Sequence, residues 1–156
     1  MIITYQYRIY PTFKQAKILI AWLEALRNLY NQGLSWRKAV YNKTGESINW
    51  VTQANALPEL KRVSPFWLSI HSDVLQDTLR RLDKAYQAFF RRVQAGEAPG
   101  FPRFKGKGRY RSMTFNHLSK KLIRNIRKRM ARIVVPKIEH IAIRYHRLLP
   151  MGRLST

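Results

Sequence analysis

The sequence of 156 residues has no cysteine. Disulfide bonds and zinc sites with cysteine ligands are therefore excluded, and the composition fits a reducing compartment. No stretch approaches the roughly 18 consecutive apolar residues of a membrane-spanning helix. The first ten residues, MIITYQYRIY, alternate in polarity and so lack the charged head and apolar run of a signal peptide. These absences predict a cytoplasmic protein.

Acidic residues are scarce. Eight Asp and Glu stand against thirty Lys and Arg, which gives a formal net charge of +22. This charge exceeds what solubility requires and makes the compact state repel itself, so a polyanionic partner is its best explanation. We expect that partner to be nucleic acid, and a membrane surface is the main alternative. The hydrophobic fraction of 46% is high enough for a packed core and argues against global disorder.

The residues that could carry catalysis or bind metal are scattered. The histidines are His71, His117, His140 and His146, and none has a second histidine or a carboxylate at metal-ligand spacing. Asp77 and Asp83 share a predicted helix but have basic neighbours, so we interpret them as ion-pair partners. A two-metal nuclease needs convergent carboxylates. The sequence therefore predicts no catalytic residue, no metal ligand and no cofactor in this chain.

Apolar periodicity predicts two long helices and one short one. These helices cover residues 12–42, residues 49–56 and the stretch from Ser72 to about Gly96. Thr12 and Gln15 have the spacing of a capping box at the start of the first helix. Ser72 is predicted to be the N-cap of the last helix. Trp22 and Trp36 lie on the first helix and are predicted to pack against its neighbours.

Alternating polarity predicts strands near both ends of the sequence. They fall at residues 2–10, 111–117, 131–135 and 140–147. Because strands precede and follow the helices, the sequence predicts an α+β fold. In the simplest arrangement both ends form one β module, and a helical module is inserted at about residues 11–99.

The segment 100–111, GFPRFKGKGRYR, has a basic residue at every second position. These residues are Arg103, Lys105, Lys107, Arg109 and Arg111. On an extended backbone they would project to one side, about 6.6 Å apart, and could follow a phosphate backbone. Phe101, Phe104 and Tyr110 could either stack on bases or anchor the segment in the core.

A second basic segment, KKLIRNIRKRMAR, covers residues 120–132. Its predicted phosphate contacts are Lys120, Lys121, Arg124, Arg127, Lys128 and Arg129, and Arg8 of the first strand is grouped with them. The spacing of Leu122, Ile126 and Met130 allows a short helix, and the tip of a hairpin is equally compatible. Phosphate contacts of this kind would give affinity and salt dependence but no sequence preference.

The ordered motifs resemble a known family. The matching pieces are RIYP (8–11), LRNLYN (26–31), VLQDTLRRLDKAYQAFFRRVQAG (74–96), PGFPRFK (99–105), YRSMTF (110–115) and VPKIEHIAIRYHRLLP (135–150). Over residues 1–150 the chain resembles the N-terminal half of transposon-encoded TnpB proteins, the OrfB-type proteins related to type V CRISPR effectors. The resemblance implies that residues 1–10 and 100–156 form a wedge domain of oligonucleotide-binding barrel type. Residues 11–99 would form an inserted helical recognition bundle.

The resemblance also implies binding partners. Such domains hold a guide RNA and the double-stranded DNA target, and they grip the duplex at a short motif beside the target. By motif position, the residues near that duplex would be Trp50, Ser72, Gln76, Thr114 and Phe115. Gln76 suits this role because a glutamine amide can bond adenine through two hydrogen bonds in the major groove. A polar residue that caps or pairs within the helical bundle is the alternative for Gln76.

The resemblance implies a nuclease half as well. Relatives continue into a RuvC-like nuclease domain with three acids and a zinc ribbon with four cysteines, whereas this sequence ends at Thr156 and has no acid after Glu139. We therefore expect Mg²⁺ and Zn²⁺ only in that other half and no cleavage by this chain alone. A separate RuvC-like nuclease chain could complete a split enzyme, and a guide-independent RNA- or DNA-binding module is a further alternative. In either case we expect a prokaryotic cytoplasmic protein at the nucleoid.

Overall fold

The computed structural model describes residues 4–116, 122–125, 129–144 and 146. The described strands are β1 (Ile9–Tyr10), β2 (Leu122–Asn125), β3 (Met130–Val135) and β4 (Glu139–Arg144). The described helices are α1 (Phe13–Thr44), α2 (Trp50–Asn55), α3 (Leu57–Val63), α4 (Phe66–Ser69) and α5 (Ser72–Gln94). The predicted α+β class is confirmed, whereas the barrel and the bundle stay predictions.

The chain divides into two compact units. The first consists of Met1–Ile20 together with Asn116–Thr156, and the second consists of Ala21–Phe115. The predicted wedge and recognition domains have different boundaries, and that assignment stays a prediction.

The described strands of the first unit form one antiparallel sheet in the order β1-β4-β3-β2. β3 and β4 form a hairpin in which Val135 pairs with Glu139. Ala131, Ile141 and Ile143 are buried on these strands. The alternation that predicted strands at 131–135 and 140–147 is therefore confirmed as far as Arg144.

Two predicted strands differ from the structure. The strand predicted at 2–10 begins outside the described residues, and within residues 4–10 only Ile9–Tyr10 is a strand. The Arg8 carbonyl still accepts a hydrogen bond from the Arg144 amide at 3.1 Å. The strand predicted at 111–117 is absent from residues 111–116, and residue 117 lies outside the described part. The polar groups of Ser112 and Thr114 bond to Arg81 of α5, so this stretch follows a helix and does not join a sheet.

Local signals at the ends of the long helices are well predicted. The Thr12 amide donates to Gln15 Oε1 at 3.0 Å and the Gln15 amide donates to Thr12 Oγ1 at 3.2 Å, which confirms the capping box. α5 ends in a Schellman motif. In that motif the Gly96 amide donates to the Val93 carbonyl and the Glu97 amide donates to the Arg92 carbonyl, both at 3.0 Å. Gly96 adopts the left-handed φ of 76° that this ending requires.

The start of α5 differs from the prediction. His71 is the N-cap, and its Nδ1 accepts a hydrogen bond from the Asp73 amide at 3.3 Å. Ser72 is instead the first helical residue, and its Oγ accepts a hydrogen bond from Lys61 Nζ at 2.7 Å. The assignment of Ser72 as N-cap is therefore wrong, because a lysine on α3 engages its hydroxyl.

The core of the second unit lies between α1 and α5. Its fully buried side chains include Leu26 and Leu34 of α1 and Leu75 and Leu82 of α5, all with no exposed area. Burying a leucine side chain contributes roughly 1.5–3 kcal/mol, so this apolar contact stabilises the unit.

Two tryptophans of α1 have different surroundings. Trp22 is 2% exposed, which confirms its predicted packing. Trp36 is 39% exposed, so its predicted packing is only partial. It lines an open pocket with Leu57 and Val63 of α3, and that short helix covers only part of the indole.

A polar cluster is buried beside the apolar core. Arg37 Nη2 lies 2.8 Å from Asp83 Oδ1, and Arg37 Nε donates to Gln53 Oε1 at 2.8 Å. Gln53 Nε2 in turn donates to the Gly33 carbonyl at 2.9 Å. A buried ion pair contributes little net stability, but the loss of one partner leaves a buried charge and costs about 3–5 kcal/mol. The predicted ion-pair role of Asp83 is confirmed.

Candidate nucleic-acid interface

The first half of α5 gathers the residues predicted to lie near duplex DNA. Ser72, Gln76 and Arg80 follow one another at intervals of four residues, so they lie along one side of the helix. Trp50 lies beside this row, since α2 packs against α5. Thr114 and Phe115 contact the same half of α5 through Arg81 and His71. The residues Trp50, Ser72, Gln76, Thr114 and Phe115 thus surround the first turns of one helix, and we call this the α5 surface.

Trp50 and Arg80 form the contact between α2 and this surface. The Arg80 guanidinium lies 4.5 Å from the centre of the Trp50 ring, within the range of a cation–π contact. Asn49 fixes the start of α2, because its side-chain oxygen accepts a hydrogen bond from the Thr52 amide at 3.1 Å. Arg80 was missed in the sequence, although it lies one helical turn beyond Gln76.

Gln76 lies half-exposed on this surface. Within residues 4–116, 122–125, 129–144 and 146, no hydrogen bond engages its side-chain amide. Capping or pairing inside the helical unit, the alternative for Gln76, has no support in that part of the chain.

Arg81 fastens the segment that carries Thr114 to α5. Its Nη1 donates to the Ser112 carbonyl at 3.0 Å and to Ser112 Oγ at 2.8 Å, and its Nη2 donates to Thr114 Oγ1 at 2.7 Å. Asp77 orients the guanidinium, because its Oδ2 accepts a hydrogen bond from Arg81 Nε at 2.7 Å. The ion pair predicted for Asp77 is confirmed. Phe115 adds a ring contact to His71 with 6.0 Å between the centroids.

Tyr110 anchors the beginning of the same segment. It is buried, and its hydroxyl lies 2.8 Å from Thr78 Oγ1. The Thr78 hydroxyl already donates to the Val74 carbonyl at 3.0 Å, so the Tyr110 hydroxyl is the donor in this pair. Burial raises the pKa of Tyr110 above its ordinary value. The sequence allowed Tyr110 either to stack on bases or to anchor the segment in the core, and the structure shows the anchor.

The basic segment 100–111 is held against α1 through backbone atoms of Lys105. Arg27 Nη1 and Asn31 Nδ2 both donate to the Lys105 carbonyl at 3.0 Å, and the Lys105 amide donates to Asn31 Oδ1 at 2.8 Å. Glu24 pairs with Arg27 at 2.6 Å, and the hydrogen bond from Arg27 lowers the pKa of Glu24. The motifs LRNLYN and PGFPRFK are therefore in direct contact.

The backbone of this segment is not extended throughout. It turns at residues 106–109, where the Arg109 amide donates to the Gly106 carbonyl at 3.0 Å and Gly108 has a φ of 68°. The prediction that the five cations project to one side was therefore wrong. Four of them are nevertheless exposed, namely Arg103, Lys107, Arg109 and Arg111. Lys105 is half-buried, with its Nζ 5.3 Å from the centre of the Tyr30 ring.

The predicted phosphate contacts of the first unit are only partly described. Arg8 is exposed, and its guanidinium lies 5.6 Å from the centre of the Tyr10 ring. Arg124 lies in β2 opposite Ala131, and Arg129 is exposed just before β3. Residues 122–125 pair with β3 as an antiparallel strand, so the described part of this segment is not the short helix that the spacing also allowed. Lys120, Lys121, Arg127 and Lys128 lie outside the described residues.

Two other kinds of site are absent from the described residues. Among them, no group of three or more His, Asp or Glu side chains could hold a metal ion. None of the helices in the described ranges is long and apolar enough to cross a membrane.

The site described above combines a high positive charge with polar and aromatic side chains around one helix, features that are common in nucleic-acid-binding surfaces. In a comparison with known families, residues 1–46 match the family HTH_OrfB_IS605, a helix-turn-helix domain. The match supports an OrfB-type N-terminal region and indicates nucleic-acid binding. No curated protein sequence matches the chain.

The matched segment has its own geometry in this chain. Between residues 4 and 46 the described structure consists of β1 and one continuous helix, α1. A helix-turn-helix motif reads DNA with the second of two helices. Since α1 is uninterrupted, the matched segment does not form that pair by itself. The second helix of such a pair would therefore have to lie outside residues 4–46.

Proposed function

We propose that this chain is the recognition part of a TnpB-like RNA-guided DNA-targeting protein. In this proposal it holds a guide RNA scaffold and the DNA duplex beside the target, and it does not cleave DNA by itself. The net charge of +22 and the OrfB-type N-terminal region support this function. The resemblance of the later motifs to TnpB proteins supports the guide RNA in particular.

The observation that carries the proposal is the α5 surface. Residues from three separate stretches of sequence, Trp50, Gln76 and Thr114, lie around the same turns of α5. Helices in a major groove commonly read bases through amide or guanidinium groups, and the half-exposed Gln76 can offer its amide to an adenine edge. Trp50 and Phe115 add apolar contacts at the two borders of this surface.

The exposed cations have a separate role in this proposal. Arg8, Arg103, Lys107, Arg109, Arg111 and Arg129 are exposed and would contact phosphates of the RNA or the duplex. Such contacts raise affinity for any sequence. Choice of the adjacent motif would therefore depend on the α5 surface alone.

The first test is the exchange of Gln76 for alanine. We expect Gln76→Ala to lower discrimination among DNA duplexes that differ in the adjacent motif by about 1–3 kcal/mol, because one two-bond contact to a base is lost. Binding of the purified chain and its copurified RNA to a library of duplexes measures this discrimination.

Gln94→Ala is the matched control, because Gln94 is the exposed last residue of the same helix. Its motif preference should equal that of the unaltered chain. An unchanged preference of Gln76→Ala would refute the base-reading role. Metal-dependent cleavage by the purified chain would refute the absence of nuclease activity.

The family match favours a second candidate function, that of a guide-independent DNA-binding module, because the matched family is a helix-turn-helix domain. Sequencing of the copurified RNA separates the two functions. A discrete RNA with a uniform 3′ scaffold supports the guide-dependent function. A heterogeneous RNA mixture, or none, supports the guide-independent module.

A further inference from the structure

The last part of α5 borders a pocket that the proposed function does not use. The cavity has a volume of about 420 Å³ and lies between the end of α1, the end of α5 and Phe101. Aromatic rings form one wall of it. Phe101 packs edge-on against Phe89 and Tyr86, with centroid separations of 5.2 and 5.3 Å, and Phe89 lies 5.3 Å from Phe90.

Two of these rings remain accessible. Phe101 is 40% exposed and Phe90 is 48% exposed. An apolar surface of this kind, contiguous and rimmed by polar groups, marks a binding site more often than an isolated exposed side chain does. The edge-on packing fixes the rings, so a flat ligand would find a preformed wall.

The rim of the pocket is basic. Lys38 Nζ lies 5.0 Å from the centre of the Phe101 ring and 4.9 Å from that of the Phe104 ring. Asn42 and Ser47 add an amide and a hydroxyl to the lining, and none of the lining residues is acidic. Another pocket of the same unit, which Leu57 and Val63 line, has Glu59 and no lysine or arginine. The cationic rim therefore distinguishes the first pocket.

We propose that this pocket takes one unpaired nucleobase of a single-stranded nucleic acid. The base would stack on Phe101 and Phe90, and the neighbouring phosphate would pair with Lys38. Aromatic rings beside cations are the usual way in which proteins hold unpaired bases. The absence of acids from the lining and the net charge of +22 favour a polyanion over an apolar segment of a protein partner. The inference rests on the proposed nucleic-acid-binding function and extends it to single strands.

The experiment compares two probes on the full chain. One is a single-stranded oligoadenylate RNA that carries one 2-aminopurine. Its length of about 12 nucleotides lies within the site sizes of single-strand-binding proteins. The other is a DNA duplex of equal length. We expect the double variant Phe90→Ala with Phe101→Ala to lose about 5- to 150-fold in affinity for the single strand, the range for loss of one stacked base. Its affinity for the duplex should not change.

Two further variants keep the result interpretable. Phe101→Trp retains a stacking surface and should retain single-strand affinity. Phe66→Ala removes an exposed phenylalanine of α4, which does not line the pocket, and should bind both probes as the unaltered chain does. Equal losses for both probes, together with a lower melting temperature, would overturn the proposal, because the rings would then be structural.

The outcomes separate this proposal from the proposed function. If the unaltered chain binds the duplex in a salt-dependent manner but the pocket variants bind RNA normally, only the pocket proposal fails. A protein segment would then be the better occupant. If the unaltered chain binds neither probe, both proposals fail.

Discussion

The two halves of α5 present different chemistry on one continuous helix. In the first half, Arg81 holds polar groups in fixed positions through hydrogen bonds to Asp77, Ser112 and Thr114. In the second half, the rings of Phe89 and Phe90 face an open pocket under a basic rim. Directed polar groups can distinguish base edges, whereas a flat apolar wall accepts any base. If both proposals hold, one helix would carry both sequence-dependent and sequence-independent contacts.

The buried cluster between the halves should have the largest effect on stability. Arg37→Leu would leave the Asp83 carboxylate buried without its cation. We expect the free energy of unfolding to fall by about 3–5 kcal/mol. Binding of duplex DNA and of single strands should weaken as well, because both proposed sites lie on α5. Urea denaturation measures this change.

Arg92→Leu is the control for that prediction. It removes an arginine that pairs with Glu97 in an exposed position of the same helix. The expected cost is below about 1 kcal/mol, because surface ion pairs contribute little. Comparable losses of stability for Arg37→Leu and Arg92→Leu would contradict the prediction that the buried ion pair matters more than the exposed one.

Tyr110 anchors a segment against the first half of α5, and its burial should make the stability of the protein sensitive to alkaline pH. Burial raises the pKa of Tyr110 above the usual value near 10, so the folded state keeps this proton after the unfolded state has lost it. Stability is therefore complete below pH 10 and falls as the pH rises above it, by up to about 1.4 kcal/mol per pH unit for one tyrosine. Denaturation at several pH values measures this slope.

Tyr110→Phe sharpens the pH test. The variant should show a shallower alkaline loss of stability, to which Tyr30 and Tyr86, whose pKa values burial also raises, would still contribute. At neutral pH it should lose about 1 kcal/mol with the hydrogen bond to Thr78. An alkaline slope equal to that of the unaltered chain would contradict the assignment to Tyr110.

Arg81 is expected to affect local order more than global stability. Arg81→Ala should cost about 1 kcal/mol, since its contacts are partly exposed, but it should free residues 112–115 from α5. Hydrogen exchange of the backbone amides should become faster there and stay unchanged around the aromatic pocket. Arg91→Ala, in the second half, is the control. Equal exchange at 112–115 in both variants would mean that Arg81 does not hold that segment.

Features that depend on near neighbours in sequence could be predicted. One example is the capping box, in which Thr12 and Gln15 are three positions apart. Another is the motif that ends α5, which depends on Gly96 shortly after the last helical residue. The grouping of Trp50 and Gln76 depends on the packing of α2 against α5 and could be expected only from the family resemblance.

Features that depend on distant partners could not be predicted. The extended backbone predicted for 100–111 fails because Arg27 and Asn31 of α1 bind the segment and a turn follows. The buried pair of Arg37 and Asp83 joins two helices, and no local pattern marks an arginine for burial. Arg80 and the aromatic pocket were missed for the same reason.

The attachment of the basic segment to α1 has a consequence for how this protein could diversify. Arg27 and Asn31 bond the carbonyl and the amide of Lys105, which every residue except proline provides in full. The path of the segment is thus largely independent of the side chain at position 105. Substitutions there could tune the charge offered to a nucleic acid while the attachment survives, so affinity could evolve without a redesign of the fold.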